Sequence, residues 1–354
     1  MGADLPGGTG LDRRAVAWGL VGVVITMAVT FVGSDRLVWF DAALIGYLYG
    51  VIFMVFGVIY RYRVWVRRPP TAMLNRRGWE AFRRRLGRNV AAAPRLVASK
   101  LVGQTFIRHR SRSRWAAHQL VFWGCILAAA VTFPLTLGLL HFESVGQRGD
   151  RYQVFLSRVG TIEFDAESVI GWFMYHALDV AAVLVLAGVF IFLHRRLREP
   201  GALATERSGD FLALVGLFAV SVTGLFLTVS SLWLDGRFYA ALSTIHALTV
   251  ILGLMYLPFG KFFHIFQRPA NVGVAYYKQA NEEGAQAVCR RCGREFAGVQ
   301  HVADLQVVLA QLGFDYGADG QAGGSGSGSF QDTCPRCRRA QVALAQSARV
   351  SGFG

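Results

Sequence analysis

Apolar positions along this chain gather in long runs rather than following the 3.6- or 2-residue rhythm of a water-soluble domain. Six runs, over approximately 15–33, 38–60, 115–140, 170–193, 211–234 and 240–263, reach the length needed to cross a bilayer's hydrocarbon core. Within lipid every backbone N–H and C=O must be satisfied inside its own segment, so the pattern predicts six membrane-spanning helices.

The polar intervals between the runs differ in sign. Residues 61–114 hold sixteen Lys and Arg against one acid, Glu80. Residues 142–169 reverse this, with Glu143, Asp150, Glu163, Asp165 and Glu167 outnumbering Arg148, Arg151 and Arg158. The positive-inside rule puts 61–114 in the cytoplasm and 142–169 outside. Counting crossings then places the N-terminus, residues 194–210 and everything after 265 in the cytoplasm. The expected location is therefore the cell membrane, multi-pass, with both termini cytoplasmic. The opening MGADLPGGTGLDRR leads into an apolar stretch too long for a signal-peptide core, and no small-residue cleavage site follows it. Trp65, Trp79 and Phe82 within the basic interval are expected at the interface, against anionic lipids. The same interval offers a docking surface for a soluble subunit. After 281 the chain turns polar, and "GADGQAGGSGSGSF" (317–330) reads as a flexible loop. The expected organisation is two N-terminal spans (1–60), a basic cytoplasmic loop (61–114), a four-helix domain (115–270) and a tail (271–354).

Composition agrees: of 354 residues, 53% are hydrophobic and only 17% charged, the balance of a membrane protein. The net charge of +15 is almost entirely arginine and follows the membrane topology; nothing else in the chain resembles a nucleic-acid reader. Of five cysteines, Cys125 lies in an apolar run. The other four form two pairs, "CRRCG" (289–293) and "CPRCRR" (334–339), separated by 41 residues. Each pair can occupy two corners of a tetrahedron, as in zinc ribbons, and Gly293 and Pro335 favour the knuckle turns. Cys289, Cys292, Cys334 and Cys337 are thus candidate ligands for zinc, with iron or an iron–sulfur cluster as the alternative. Such a metal would fold a tail that lacks a sufficient core.

Eight histidines are present, and His176/His194 and His246/His264 share a spacing of 18 residues. On one continuous helix that is five turns, which sets both rings on one face about 27 Å apart. His118 is expected near the cytoplasmic start of the third span and His141 at its outer end. An ionisable side chain in a membrane marks a functional site by default. Histidines paired across a helical bundle can grip haem, and ligation from both sides leaves no open position on the iron. His194 in "HRRLR" and His109 in "RHRSRSR" read instead as interfacial and solvated.

"LPFGKFFHIFQRP" (257–269), with His246 upstream, resembles the last helix of the respiratory nitrate reductase gamma subunit family. That superfamily includes membrane cytochrome b subunits of sulfite- and heterodisulfide-reductase-type complexes. "RSRSRWAAHQLVFWG" (110–124) resembles its helix with a basic lead and FWG, and the segments from Gly171 and Ser208 resemble the two between. The likeness spans roughly 105–270. It implies an all-α membrane protein whose helical bundle binds haem, here with a small metal-ribbon tail. By the resemblance His264 and His118 serve an inner haem b and His246 an outer one. The family's remaining ligands follow FWG, where "CILAAAVTFPLTLGLL" has no histidine, so the outer partner is His176, or alternatively His141. A single haem on His118 and His264 is the other arrangement. Lys261 and Arg268 are candidates for the propionates, or snorkel at a helix end. Asp179 and Asp41 are the buried acids, for proton release or for a bond between helices. The implied role is a membrane-anchor subunit exchanging electrons between menaquinol and a cytoplasmic iron–sulfur or molybdenum partner. The rival is a transporter or scaffold with a zinc-ribbon tail and no haem, in which the histidines join helices.

Overall fold

The computed structural model describes residues 10–145, 150–198, 208–314 and 329–351. Along the first half run α1 (Arg13–Gly33), α2 (Ile45–Arg67), α3 (Thr71–Arg84), α4 (Leu86–Val97), α5 (Thr105–Arg108) and α6 (Arg112–Thr136). Strands β1 (Leu140–Val145), β2 (Arg151–Leu156) and β3 (Val159–Asp165) follow, then α7 (Val169–Arg198), α8 (Ser208–Trp233), α9 (Tyr239–Tyr256) and α10 (His264–Gln267). The tail contributes α11 (Ala270–Glu282), β4 (Gln286–Val288), β5 (Glu295–Gly298), α12 (Val299–Gln311) and α13 (Pro335–Ser351). Among the described residues six helices, α1, α2, α6, α7, α8 and α9, are long and apolar enough to cross a membrane, which makes this a multi-pass membrane protein. The Gly/Ser-rich loop lies almost wholly outside the described residues.

The chain divides into two compact units, and the six spans belong to one of them, residues 10–64 with Val102–Gln267. Its packing is inside-out relative to a soluble bundle: small residues are buried and large apolar ones point outward. On α1 the buried positions are Ala15, Gly19, Gly22, Thr30 and Gly33, while Val24 is 64% and Val32 71% exposed. In lipid that is the favourable arrangement, because close backbone approach replaces the hydrophobic drive between helices. The tightest crossing is α6 against α7. A Cβ on Gly124 would lie 2.8 Å from the Ala181 carbonyl oxygen, and one on Gly188 would lie 2.7 Å from that of Ala117. Small residues on α2 also allow close approach, with Gly50 against Leu254 of α9 and Gly57 against Pro258 in the turn beyond it.

The last span departs from expectation. Instead of one helix through 263, α9 stops at Tyr256, a turn follows, and residues 261–263 form a 3₁₀ turn before α10 begins at His264. The cause is local: Pro258 cannot donate a backbone hydrogen bond, and Gly260 adds flexibility. His246 and His264 are therefore not on one face of one helix.

The purely α expectation also needs correction. β1, β2 and β3 form an antiparallel three-stranded sheet in register Leu140↔Leu156 and Arg151↔Asp165. The third span ends at Thr136, and Gly138 in the left-handed region (φ +66°) turns the chain into β1. A two-stranded sheet, β4–β5, lies in the tail.

The second unit joins Trp65–Leu101 to the tail from Arg268. The basic loop and the tail, treated apart in the sequence, form a single body. α3 crosses α11 where Gly78 meets the backbone of Gly273, with 2.8 Å between a Cβ on Gly78 and the Gly273 carbonyl oxygen. Asp304, buried on α12, accepts from Arg77 Nη2 at 2.8 Å and from the Tyr277 hydroxyl at 3.0 Å. Tyr276 donates to the Asn89 carbonyl at 2.9 Å, and Phe82 packs on the Tyr276 ring at 5.3 Å rather than facing an interface. Trp79 stays 56% exposed.

Candidate functional site

Among the expected ligands the structure brings two histidines of the spanning unit together. His118, in the second turn of α6, and His264, at the start of α10, have ring centres 6.2 Å apart and planes crossed at 77°. Two metal–nitrogen bonds of about 2 Å, plus about 1.1 Å from each nitrogen to its ring centre, put two imidazoles sharing one ion about 6 Å apart. The observed pair fits that separation. His264 Nδ1 lies 2.6 Å from the Lys261 carbonyl oxygen. Nδ1 must carry the proton there, which leaves Nε2 as the lone-pair nitrogen.

The other two ligand candidates are tied to α8. Thr223 donates its hydroxyl to the Ala219 carbonyl at 2.7 Å, so at 2.9 Å from His246 Nδ1 its oxygen accepts from that ring. Gly224 leaves room for the imidazole, whose Cε1 would stand 3.3 Å from a Cβ. His176 Nδ1 donates to Asp179 Oδ2 at 2.8 Å, and Thr228 donates to Oδ1 of the same carboxylate at 2.7 Å. In both rings Nε2 again holds the lone pair, the tautomer that second-shell partners impose on metal-binding histidines. Thr223 and Thr228 went unremarked in the sequence; their polarity within an apolar run was the available signal.

Depth follows from the α6–α7 crossing. Gly188 packs against Ala117 and Val121, which sets His118 near that level of α7. His176 lies twelve residues away along α7, about 18 Å. The histidines thus occupy two levels. His176 and His246 do not meet as His118 and His264 do: they reach α8 at residues five apart, about 7.5 Å in rise and about 140° in azimuth.

His141 is on β1, not at a helix end. Trp39 and Phe155 cover its two faces, with ring centres at 4.5 Å and 5.1 Å and near-parallel planes. His194 is exposed and stacks on Phe190 at 6.1 Å, as an interfacial residue would. Asp41 is not a buried acid of the second span: it is exposed and caps the turn before α2, accepting from the Ala43 N–H at 2.9 Å.

In the second unit the four tail cysteines converge, with all four sulfur atoms within 4.8 Å of one another. Cys292 and Cys334 Sγ are 3.8 Å apart, and about 3.8 Å is the edge of a tetrahedron with metal–sulfur bonds of about 2.3 Å. Gly293 (φ +69°) makes the turn that returns its N–H to the Cys289 carbonyl at 2.8 Å. The Cys334 N–H donates to Cys289 Sγ at 3.2 Å and, as the largest cause, draws that thiol down to about 6. Cys337 is pushed up to about 12, first by its hydrogen bond to the Cys334 sulfur. Four crowded sulfurs cannot all ionise alone; a bound cation removes that conflict. The group is able to hold a metal ion such as zinc.

Fold and site together define a multi-pass membrane protein, with six spans among the described residues and a four-cysteine cluster able to hold a metal ion. Comparison with family models, with curated proteins and with solved structures returns no match to this chain.

Proposed function

We propose that the chain is the membrane-anchor cytochrome b subunit of a respiratory oxidoreductase in the cell membrane. It would exchange electrons between menaquinol and a cytoplasmic iron–sulfur or molybdenum-containing partner. The observation that carries this reading is the His118–His264 pair: crossed rings, 6.2 Å between centres, within a helical bundle suited to lipid. When bound, haem b supplies reversible one-electron chemistry. His118 and His264 would hold the inner group, with Lys261 orienting His264 through its carbonyl. His246, oriented by Thr223, and His176, oriented by Asp179, would hold the outer one. Asp179 also gives that level a proton acceptor. The tail centre binds zinc in this reading and stabilises the cytoplasmic unit, whose basic helices lie against anionic lipids and the partner.

The reduced-minus-oxidised visible spectrum of membranes containing the protein tests this. A sharp haem b α-band is expected, falling in His118→Ala and His264→Ala by one component and in His246→Ala by another. A colourless protein that retains one zinc per chain would sink the cytochrome and leave the scaffold reading.

A further inference from the structure

The first two spans contain no histidine, yet α2 packs along the last span and the turn that ends it. One face of α2, Gly46, Gly50, Phe53, Gly57 and Arg61, follows the i, i+4, i+7, i+11, i+15 pattern of a single helical stripe. Every member meets the sixth span or the turn that ends it. Gly46 faces Ile251, Gly50 faces Leu254 and Ile251, and Gly57 lies against Pro258. Phe53 packs on Phe259 with ring centres 6.2 Å apart. Arg61 closes the stripe. Its Nη1 donates to the Pro258 carbonyl, and its guanidinium lies 4.5 Å from the centre of the Phe263 ring.

Both contacts fall on the stretch that aims His264. The break at Leu257–Gly260 leaves carbonyls with no helical donor, and a buried orphan carbonyl is costly. Pro258 and Phe263 are both buried, and Phe263 precedes His264 directly. Arg61 therefore satisfies the broken helix at one end of the turn and clamps the residue next to the ligand at the other. A guanidinium can do both at once, since its edge donates while its face stacks; an ammonium cannot.

We infer that Arg61 is a positioning residue, through which the second span fixes His264 against His118 at the separation one metal ion requires. This rests on the haem reading of that pair. The test is low-temperature electron paramagnetic resonance, with a redox titration, of membranes carrying Arg61→Ala, Arg61→Gln or Arg61→Lys. The outer component, assigned by its loss in His246→Ala, is the internal control. In Arg61→Ala and Arg61→Gln the low-spin signal of the inner component is expected to fall at least two-fold, with a high-spin signal in its place and the outer component retained. Arg61→Lys is expected to recover part of that loss. If Arg61→Ala does not accumulate in the membrane, the size-matched Arg61→Gln decides. Unchanged spectrum and potential of the inner component in Arg61→Gln would overturn the assignment, as would equal loss of both components. Absence of any haem signal in the unsubstituted protein would instead overturn the reading beneath it.

Discussion

A ring nitrogen that gives its proton to a neighbour leaves the opposite nitrogen ready to bind a metal. In this protein that neighbour is a backbone carbonyl for His264, a hydroxyl for His246 and a carboxylate for His176. Asp179 is the most sensitive of the three, since it serves a ring and a hydroxyl at once. Asp179→Asn is expected to weaken outer-site metal binding by roughly 10- to 100-fold, read as loss of the His246-dependent spectral component at limiting haem. Asp304 makes a different prediction. Its carboxylate is buried and bonded to Arg77 and Tyr277, and removing one partner of such a pair costs about 3–5 kcal/mol. Asp304→Ala should lower the unfolding temperature of the tail unit accordingly in calorimetry. Tyr277 adds a pH dependence. Burial, then the bond to Asp304, holds its phenol up to about 12. A raised acid contributes stability in full below its ordinary value near 10 and loses it as pH climbs towards the folded one. The same transition should weaken between pH 10 and 12, and the decline should flatten in Tyr277→Phe. The histidines and cysteines were legible as residues because their chemistry is rare in such settings. The hydroxyls and carbonyls that aim them were not, since common groups acquire a role only through placement.

Elements show where pattern reading succeeds and where it stops. Hydropathy located all six spans because length and apolarity are local properties. It ran α9 through to 263 although "LPFG" contains the proline that ends it, because an apolar run gives no weight to a missing N–H. The sheet at 140–165 went unseen: its strands are only six or seven residues long and lie among charges that had a sufficient meaning as topology signals. The α6–α7 crossing is testable at this scale. Valine at Gly124 would place its Cβ 2.7 Å from a Val185 methyl and 2.8 Å from the Ala181 carbonyl oxygen. Overpacking of this kind costs about 1–3 kcal/mol, and Gly124→Val should lose stability by that much in reversible unfolding from mixed micelles.

For the molecule as a whole, the sequence could not reveal that the basic interval and the tail are one body. Arg77 and Asp304 are 227 residues apart, and their pairing leaves no trace in composition or periodicity. The four-cysteine cluster belongs to that body. Metal analysis should find one zinc per chain, absent in Cys289→Ser with Cys334→Ser, and chelation should open residues 286–314 and 329–340 to protease while the spans stay intact. The assembly of that body also sets an order on biosynthesis. Residues 65–101 leave the ribosome long before 268–351, with four hydrophobic segments made in between. Until the last of them is inserted and the tail emerges, Arg77 has no Asp304 and the α3 crossing has no α11. The unit that holds the four cysteines can therefore mature only after the four intervening spans are made, and a chain interrupted in the fifth or sixth of the six spans would leave Arg77 without Asp304.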